Sequence, residues 1–123
     1  MSLARLALHL AVLSVALAAF CGAATMKRST APKRLGCFKD RPKRDLNGYE
    51  LKQQYMKTAN CVYLCTTYKY RFAGLQAIDW CHCGNSYGRY GRAADSECSL
   101  SCDGDHSDTC GGHWRNEVYS TGL

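Results

Sequence analysis

The chain is short of aliphatic side chains once its first 24 residues are set aside. Residues 1–24 hold 19 of its 57 hydrophobic residues, and only ten Leu, Ile or Val residues remain among the other 99. A core of that size is marginal for a domain of roughly 100 residues. The shortage argues against a nucleotide-binding α/β fold and a multidomain enzyme, and it requires some other constraint to hold the fold together.

The sequence also lacks the patterns of common catalytic sites. It has no H-E-x-x-H motif, no Ser/His/Asp motif and no free cysteine nucleophile if its cysteines pair. A glycosidase needs two carboxylates across a cleft, which a small domain rich in disulfides rarely builds. We therefore expect no enzyme activity, no metal site and no cofactor. No N-x-S/T sequon occurs, so N-glycosylation is not expected.

One long apolar run is present, and it lies at the N-terminus. A short segment with one positive charge (residues 1–5) precedes a mostly apolar stretch (residues 6–20), and small residues follow to Ala24. This pattern predicts a secretory signal peptide over residues 1–24. The apolar stretch is shorter than the ~20 residues that span a bilayer. We expect a secreted, extracellular and monomeric protein without a transmembrane segment.

The segment after the predicted signal peptide is polar and basic. Residues 25–34 (TMKRSTAPKR) are interpreted as a flexible arm, and residues 35–121 as the folded domain. Without Arg5 the chain carries 15 basic and 10 acidic residues, and seven of the basic ones lie between Arg28 and Arg44. Such a stretch is suited to an anionic polysaccharide, a phospholipid surface or an acidic receptor.

Eight cysteines remain when Cys21 leaves with the signal peptide. They are Cys37, Cys61, Cys65, Cys81, Cys83, Cys98, Cys102 and Cys110. An even number of cysteines in an exported domain of this size indicates four disulfides, for which 105 pairings exist. The spacings do not match paired C-x2-C zinc knuckles, and an oxidising compartment favours disulfides over metal thiolates.

The spacing of four cysteines indicates how a helix meets a strand. A helix is predicted from Thr58, whose hydroxyl would cap the first turn, to about Tyr70. Its inward face would carry Cys61, Leu64, Cys65 and Tyr68 at i, i+3, i+4, i+7. Cys81 and Cys83 share one face of a strand. This geometry favours Cys61 with Cys81 and Cys65 with Cys83, and the crossed pairing stays open.

The remaining segments alternate between short strands and loops. The sequence predicts strands at residues 35–39 and 115–121, a strand pair at 72–83, a single helical turn at 98–102, and loops at 40–49, 84–95 and 103–109.

Several stretches together resemble the WSC domain (cell-wall integrity and stress-response component). They are LGCFKD (35–40), RDL (44–46), MKTANCxxxC (56–65), YRFAGLQ (70–76), CHCGNSY (81–87), CxxxC (98–102) and CGGHWRxxVY (110–119). The resemblance covers residues 35 to about 121, and all eight cysteines fit the family spacing.

The resemblance implies a fold, a disulfide pairing and a function. It implies a small α+β domain similar to PAN/apple modules, with one helix packed on a curved antiparallel sheet. It implies the disulfides 37–98, 61–81, 65–83 and 102–110. The family is similar in function to extracellular carbohydrate-binding modules, with glucan as the usual proposed ligand.

A sugar site requires flat apolar rings for the C–H faces of pyranoses and planar polar groups for the hydroxyls. We predict stacking by the four aromatic residues Trp80, Tyr87, Tyr90 and Trp114, and orientation of the sugar by Asn85, Arg115 and Asn116. His82 points away from the two cysteines beside it and is expected to be exposed. Tyr63, Tyr68, Phe72 and Tyr119 lie in predicted elements and are interpreted as structural.

The predicted function is therefore a non-catalytic module that binds a cell-wall polysaccharide such as β-glucan, without a nucleic-acid partner. Two alternatives remain. The first is a secreted effector or toxin-like protein that binds a cell-surface partner through its basic face. The second is a structural matrix or coat protein, which would self-associate.

Overall fold

A computed structural model describes residues 31–123, and the structural statements below refer to these residues. Their elements, in chain order, are β1 (Arg34–Lys39), β2 (Tyr49–Lys52), α1 (Thr58–Thr67), β3 (Phe72–Gln76), β4 (Trp80–Gly84), a 3₁₀ turn (Asp95–Glu97) and β5 (Arg115–Ser120). The predicted signal peptide and most of the predicted arm lie outside the described residues. The ten-residue α1 is too short to cross a bilayer, and no other helix of the described part is long and apolar enough.

The five strands form one antiparallel sheet in the order β1-β5-β3-β4-β2. The single α-helix of the described part packs across β3 and β4. This confirms the predicted α+β class with one helix on an antiparallel sheet and four disulfides. β1 begins at Arg34 rather than Leu35, so the last residue of the predicted arm belongs to the sheet.

The side of the sheet that faces α1, here called the helix face, is held by sulfur. Cys61–Cys81 and Cys65–Cys83 join two successive turns of α1 to β4. The core cluster at this face contains ten buried residues, and six of them are cysteines. Cys37–Cys98 and Cys102–Cys110 complete the four disulfides. The disulfide pairing implied by the resemblance is confirmed. The alternative that joins Cys61 to Cys83 and Cys65 to Cys81 is wrong.

The opposite side of the sheet, here called the loop face, is covered by the β1–β2 loop (residues 40–48). Leu46 is buried and packs with Phe38 and Val118. A Cβ at Gly74 would lie 2.4 Å from Leu46 Cδ1, so the glycine leaves the space that this side chain fills. The sheet is therefore covered on both faces, by α1 on one side and by a loop on the other.

The start and end of α1 differ from the prediction. The N-cap is Lys57, without a side-chain hydrogen bond, and Asp108 Oδ2 accepts from the backbone N–H of Thr58 at 2.9 Å. A distant carboxylate thus satisfies the first turn, so capping by the Thr58 hydroxyl is wrong. The helix ends at Thr67, because Lys69 adopts a positive φ of 67°. Tyr68 then stands 52% exposed, and Val62 is buried instead.

Two further segments differ from the prediction. β2 pairs with β4 along its whole length, although Tyr49 was predicted to end a loop and no strand was predicted at residues 50–52. Its sequence, YELK, does alternate apolar and polar residues, but four residues are a short signal. Cys98–Cys102 does not form a helical turn. The turn lies just before it, at Asp95–Glu97, and Ser101 pairs with Thr109 across the small disulfide loop.

Removing one disulfide at a time tests how the bridges stabilise the fold. The loop-closure estimate gives about 4 kcal/mol for Cys37–Cys98, which spans 61 residues, and about 2.5 kcal/mol for Cys102–Cys110, which spans 8. We expect the double alanine variant of the first pair to lose more stability in urea unfolding. Equal losses, or an unchanged circular dichroism spectrum in excess dithiothreitol, would contradict this account.

We predict that any residue with a side chain at position 111 destabilises the domain. The φ of Gly111 is +69°, and a Cβ there would lie 2.1 Å from the carbonyl oxygen of Leu75. We expect Gly111→Ala to destabilise the domain by more than about 3 kcal/mol, because overpacking against backbone adds to left-handed strain. Gly91 also has a positive φ, +90°, but faces open space. Gly91→Ala is the matched control in thermal unfolding, and similar losses in both variants would exclude the packing explanation.

Candidate functional site

A depression of about 190 Å³ lies at the loop face, where the β3–β4 turn meets the residues before β5. It is lined by Arg44, Gln76, Ala77, Trp80, His113 and Trp114. Both tryptophans of the chain thus border one opening. The prediction placed them in one site, and the structure brings them together.

Local backbone geometry positions Trp114 at this opening. Gly112 and Arg115 exchange two backbone hydrogen bonds of 3.1 Å, which leaves His113 and Trp114 at the tip of a tight turn. Trp114 has a φ of 56°, an uncommon conformation for a bulky residue. Its side chain is 46% exposed. The indole is therefore held outward by the turn.

Trp80 reaches the same opening from the first position of β4. It lies on the face opposite Cys81, as strand alternation predicts, and is half-buried. Its ring stacks on His82 with centroids 5.9 Å apart. The preceding turn contains Ala77 and Ile78 with φ values of 51° and 79°. Such strained positions cluster at functional sites, and here they lie directly beside the depression.

A polar network forms the wall between the two rings. The Arg44 guanidinium lies 4.9 Å from the centroid of the Trp114 ring and donates to Asp40 Oδ2 at 2.9 Å. Gln76 Nε2 donates to the same Asp40 oxygen at 2.8 Å and to Asn116 Oδ1 at 2.8 Å. Asp40 therefore fixes Arg44 and Gln76, two of the three polar side chains that line the depression.

Asp40 is held in its charged form. Burial acts to raise the pKa of its carboxyl group, but hydrogen bonds from the Asp45 backbone, Gln76 and Arg44 outweigh burial and lower the pKa below its ordinary 3.8. The carboxylate thus stays ionised over the physiological range, and Arg44 keeps its partner.

His82 is buried, which corrects the prediction that it is exposed. Its side chain is 1% exposed, because Trp80 stacks on it and Glu50 Oε2 lies 3.3 Å from its Nδ1. Strand alternation predicts the correct face, but it does not predict the loop that covers that face. Burial, and then the positive charge of Arg44, lower the pKa of His82 below its ordinary 6.5.

Two predicted polar ligands have structural partners instead. Asn116 is fully buried and accepts from Gln76, so it does not reach the surface. Arg115 donates to Glu97 Oε1 at 3.1 Å and to the carbonyl oxygen of Trp114 at 2.8 Å. Arg115 thus braces the turn that carries the exposed indole.

The other three predicted residues lie on the 84–95 loop and form a separate group. Tyr87 packs edge-on against Phe38 and Phe72, with centroids 5.1 and 4.6 Å away. The hydroxyl of Tyr90 donates to the carbonyl oxygen of Lys43. Asn85 Oδ1 accepts from the Arg71 backbone at 3.0 Å. Among the described residues, no side-chain hydrogen bond, ion pair or ring contact joins this group to the residues that line the depression.

Of the four aromatic residues interpreted as structural, two pack against the core and two, Tyr63 and Tyr68, are exposed. Tyr119 and Phe72 are half-buried and pack against core clusters. Tyr63, in contrast, is 74% exposed on α1.

Arg44, Gln76 and Asp40 were not predicted as site residues. Gln76 ends β3 directly opposite Trp80 at the start of β4, so the two lie on the same face of the sheet. The predicted strand pair at 72–83 was compatible with that pairing. Arg44 and Asp40 lie in a loop whose path over the sheet has no periodic signature. Their recruitment depends on where Leu46 packs.

Comparison with known proteins identifies close sequence similarity to one family. The sequence profile of the WSC domain matches residues 34–112. Kremen protein 1 of Homo sapiens is 36% identical over 93 residues, which are 73% of this chain and 20% of that protein. Xylosyltransferase oxt of Drosophila melanogaster is 36% identical over 97 residues, 76% of this chain and 11% of that protein.

A fungal relative gives the same result. A WSC domain-containing protein of Arthroderma benhamiae is 36% identical over 86 residues, 68% of this chain and 12% of that protein. This chain thus spans 20% or less of the length of each of these three relatives.

The buried His82 predicts a loss of stability in mild acid. Its pKa in the folded state is lower than in the unfolded state, so unfolding takes up a proton below the ordinary value of 6.5. The free energy of unfolding should fall as the pH drops from about 7 to about 5. Asp40 contributes its own loss only below its ordinary 3.8.

The variant His82→Gln tests this assignment, because glutamine does not titrate. Urea unfolding across that pH range should show a shallower slope for the variant than for the natural chain. Parallel slopes in the two proteins would exclude His82 as the source.

Proposed function

The chain belongs to the WSC domain family, and we propose that it is an extracellular, non-catalytic module that binds a cell-wall polysaccharide such as β-glucan. The observation that carries the proposal is that Trp80 and Trp114 flank one depression whose wall presents Arg44 and Gln76. A pyranose ring has apolar C–H faces and a rim of hydroxyls. Indoles suit the faces, and the half-buried Arg44 guanidinium and the remaining amide oxygen of Gln76 suit the rim, since Gln76 Nε2 already donates to Asp40 and Asn116.

The binding surface is prepared before the ligand arrives. Asp40 holds Arg44 and Gln76, and Arg115 braces the Trp114 turn. Groups held in this way lose little conformational entropy on binding, which supports the affinity of a shallow site. The opening is a depression rather than a deep cleft, which favours binding over catalysis.

An extracellular location is supported by the disulfides. Four disulfides persist in an oxidising compartment and are rare in the cytosol. The predicted signal peptide at residues 1–24 agrees with this location.

Retention on insoluble β-1,3-glucan, chitin, cellulose and xylan tests the proposal directly. We expect binding to at least one of them and a loss of about tenfold or more in affinity in Trp114→Ala and in Trp80→Ala, as for the removal of a central aromatic anchor. The matched control is Tyr63→Ala, which removes an exposed ring from α1, on the other side of the sheet.

Tyr63→Ala should bind as the natural chain does. Retention of the natural protein on none of the four polysaccharides would exclude this function. Equal losses in the tryptophan and tyrosine variants would place the site elsewhere.

A further inference from the structure

A second surface combines guanidinium groups with aromatic rings. The Arg92 guanidinium lies 5.5 Å from the Phe38 ring centroid, and that of Arg71 lies 5.6 Å from the Phe72 centroid. Tyr87 contacts both phenylalanines and joins them into one row. The row therefore has an arginine at each end.

Tyr90 repeats this arrangement a few residues further along the same loop. Arg41 and Arg89 both approach its ring, at 4.7 and 5.8 Å from the centroid. Its hydroxyl donates to the carbonyl oxygen of Lys43, which ties the 84–95 loop to the 40–48 loop. We call Arg41, Lys43, Arg71, Arg89 and Arg92 the cationic face.

The charges of the cationic face are not neutralised within the protein. All ten acidic residues of the chain lie among the described residues. Their carboxylates form ion pairs with Arg34, Arg44, Lys52 and Arg115 but with none of the five cations of the face. All five are exposed. A cluster of exposed, unpaired cations repels itself unless an anion binds it.

Hydrogen bonds to Asp45 hold together the 40–48 and 84–95 loops, which carry four of the five cations, all except Arg71. Asp45 is buried, and its two carboxylate oxygens accept from the backbone N–H groups of Gly88 and Arg89 at 2.8 and 2.9 Å. Asp45 thus holds the backbone of the 84–95 loop, and its carboxylate forms no ion pair with the arginine side chains of the face. The face is a built surface rather than a set of independent side chains.

We propose that the cationic face binds an anionic polysaccharide, with sulfate or carboxylate groups, at a site separate from the tryptophan depression. Planar guanidiniums pair with such oxyanions through two parallel hydrogen bonds. Tyr87 is exposed, and Phe72 and Tyr90 are half-buried, so these rings can meet the apolar C–H faces that separate charged groups along a sugar chain. Phe38, in contrast, is buried beneath them. The choice of a polysaccharide over a nucleic acid rests on the extracellular location given under the proposed function.

Binding of heparin, a sulfated polymer, and of polygalacturonate, a carboxylate polymer, tests this proposal by calorimetry. The salt should be about 0.05 M, where screening lengths exceed ~10 Å. We expect binding to at least one polymer, and a loss of about tenfold or more in Arg41→Gln/Arg89→Gln, which removes two charge-assisted contacts. The variant Arg41→Lys/Arg89→Lys keeps the charge and should also weaken binding, because it removes the planar forks.

The charge-matched control is Lys57→Gln/Lys69→Gln. These two exposed lysines flank α1, and neither forms an ion pair among the described residues. This variant should bind within about twofold of the natural chain, since it lacks only distant charge. If both glutamine double variants lost the same affinity for the polymer, the effect would depend on net charge alone, and the proposal would be overturned.

Three other results would also overturn it: no binding to either polymer, equal affinity for poly-glutamate, or equal affinity for single-stranded DNA or phosphatidylserine vesicles. Trp114→Ala separates this site from the proposed one. It should lose retention on the neutral polysaccharide and keep the affinity for heparin or polygalacturonate. A chain that binds an anionic polymer but no neutral one would refute the proposed function and leave the cationic face supported.

Discussion

The two disulfides between α1 and β4 are the constraint on which the rest of the structure depends. Cys61–Cys81 and Cys65–Cys83 fix successive turns of a ten-residue helix to alternate positions of one strand. An isolated helix of that length is marginal in water, and the few aliphatic residues here do not offer it a large apolar surface. The bridges restrict the unfolded chain and replace much of what a larger hydrophobic core would supply.

This constraint allows the loop face to be unusually polar. Behind a core held by sulfur, the opposite side of the sheet carries the buried side chains Asp40, Gln76, Asn116 and His82. Buried polar groups are costly unless they are hydrogen-bonded. Asp40 accepts from Gln76 and Arg44, and Gln76 also donates to Asn116 Oδ1. Among the described residues, Asn116 Nδ2 and both ring nitrogens of His82 have no hydrogen-bond partner. The network holds the Arg44 guanidinium against the Trp114 ring, at an opening that Trp80 also borders. The β1–β2 loop, which carries Asp40 and Arg44, also carries Arg41 and Lys43 of the cationic face.

Much of the helix face is predictable from the sequence, because it follows local periodicity. The i, i+4 spacing of Cys61 and Cys65 and the i, i+2 spacing of Cys81 and Cys83 are sufficient to indicate a helix that faces a strand. The loop face is not predictable in this way. His82 was predicted to be exposed and Asn116 to reach a ligand, but both are buried. Alternation tells which side of a sheet a residue occupies but not what covers that side.

The proposed sites show the same division. Trp80 was predicted from its residue type and strand position and Trp114 from its residue type, but Arg44 and most of the cationic face depend on the path of two loops that no period describes. The central claim is that sulfur bridges hold the helix to the sheet in one specific register. Partial reduction and differential alkylation of the folded protein, read by mass spectrometry, tests this claim most directly. The expected links are 37–98, 61–81, 65–83 and 102–110 without free thiols among them; crossed 61–83 and 65–81 links, or several free thiols, would contradict the claim.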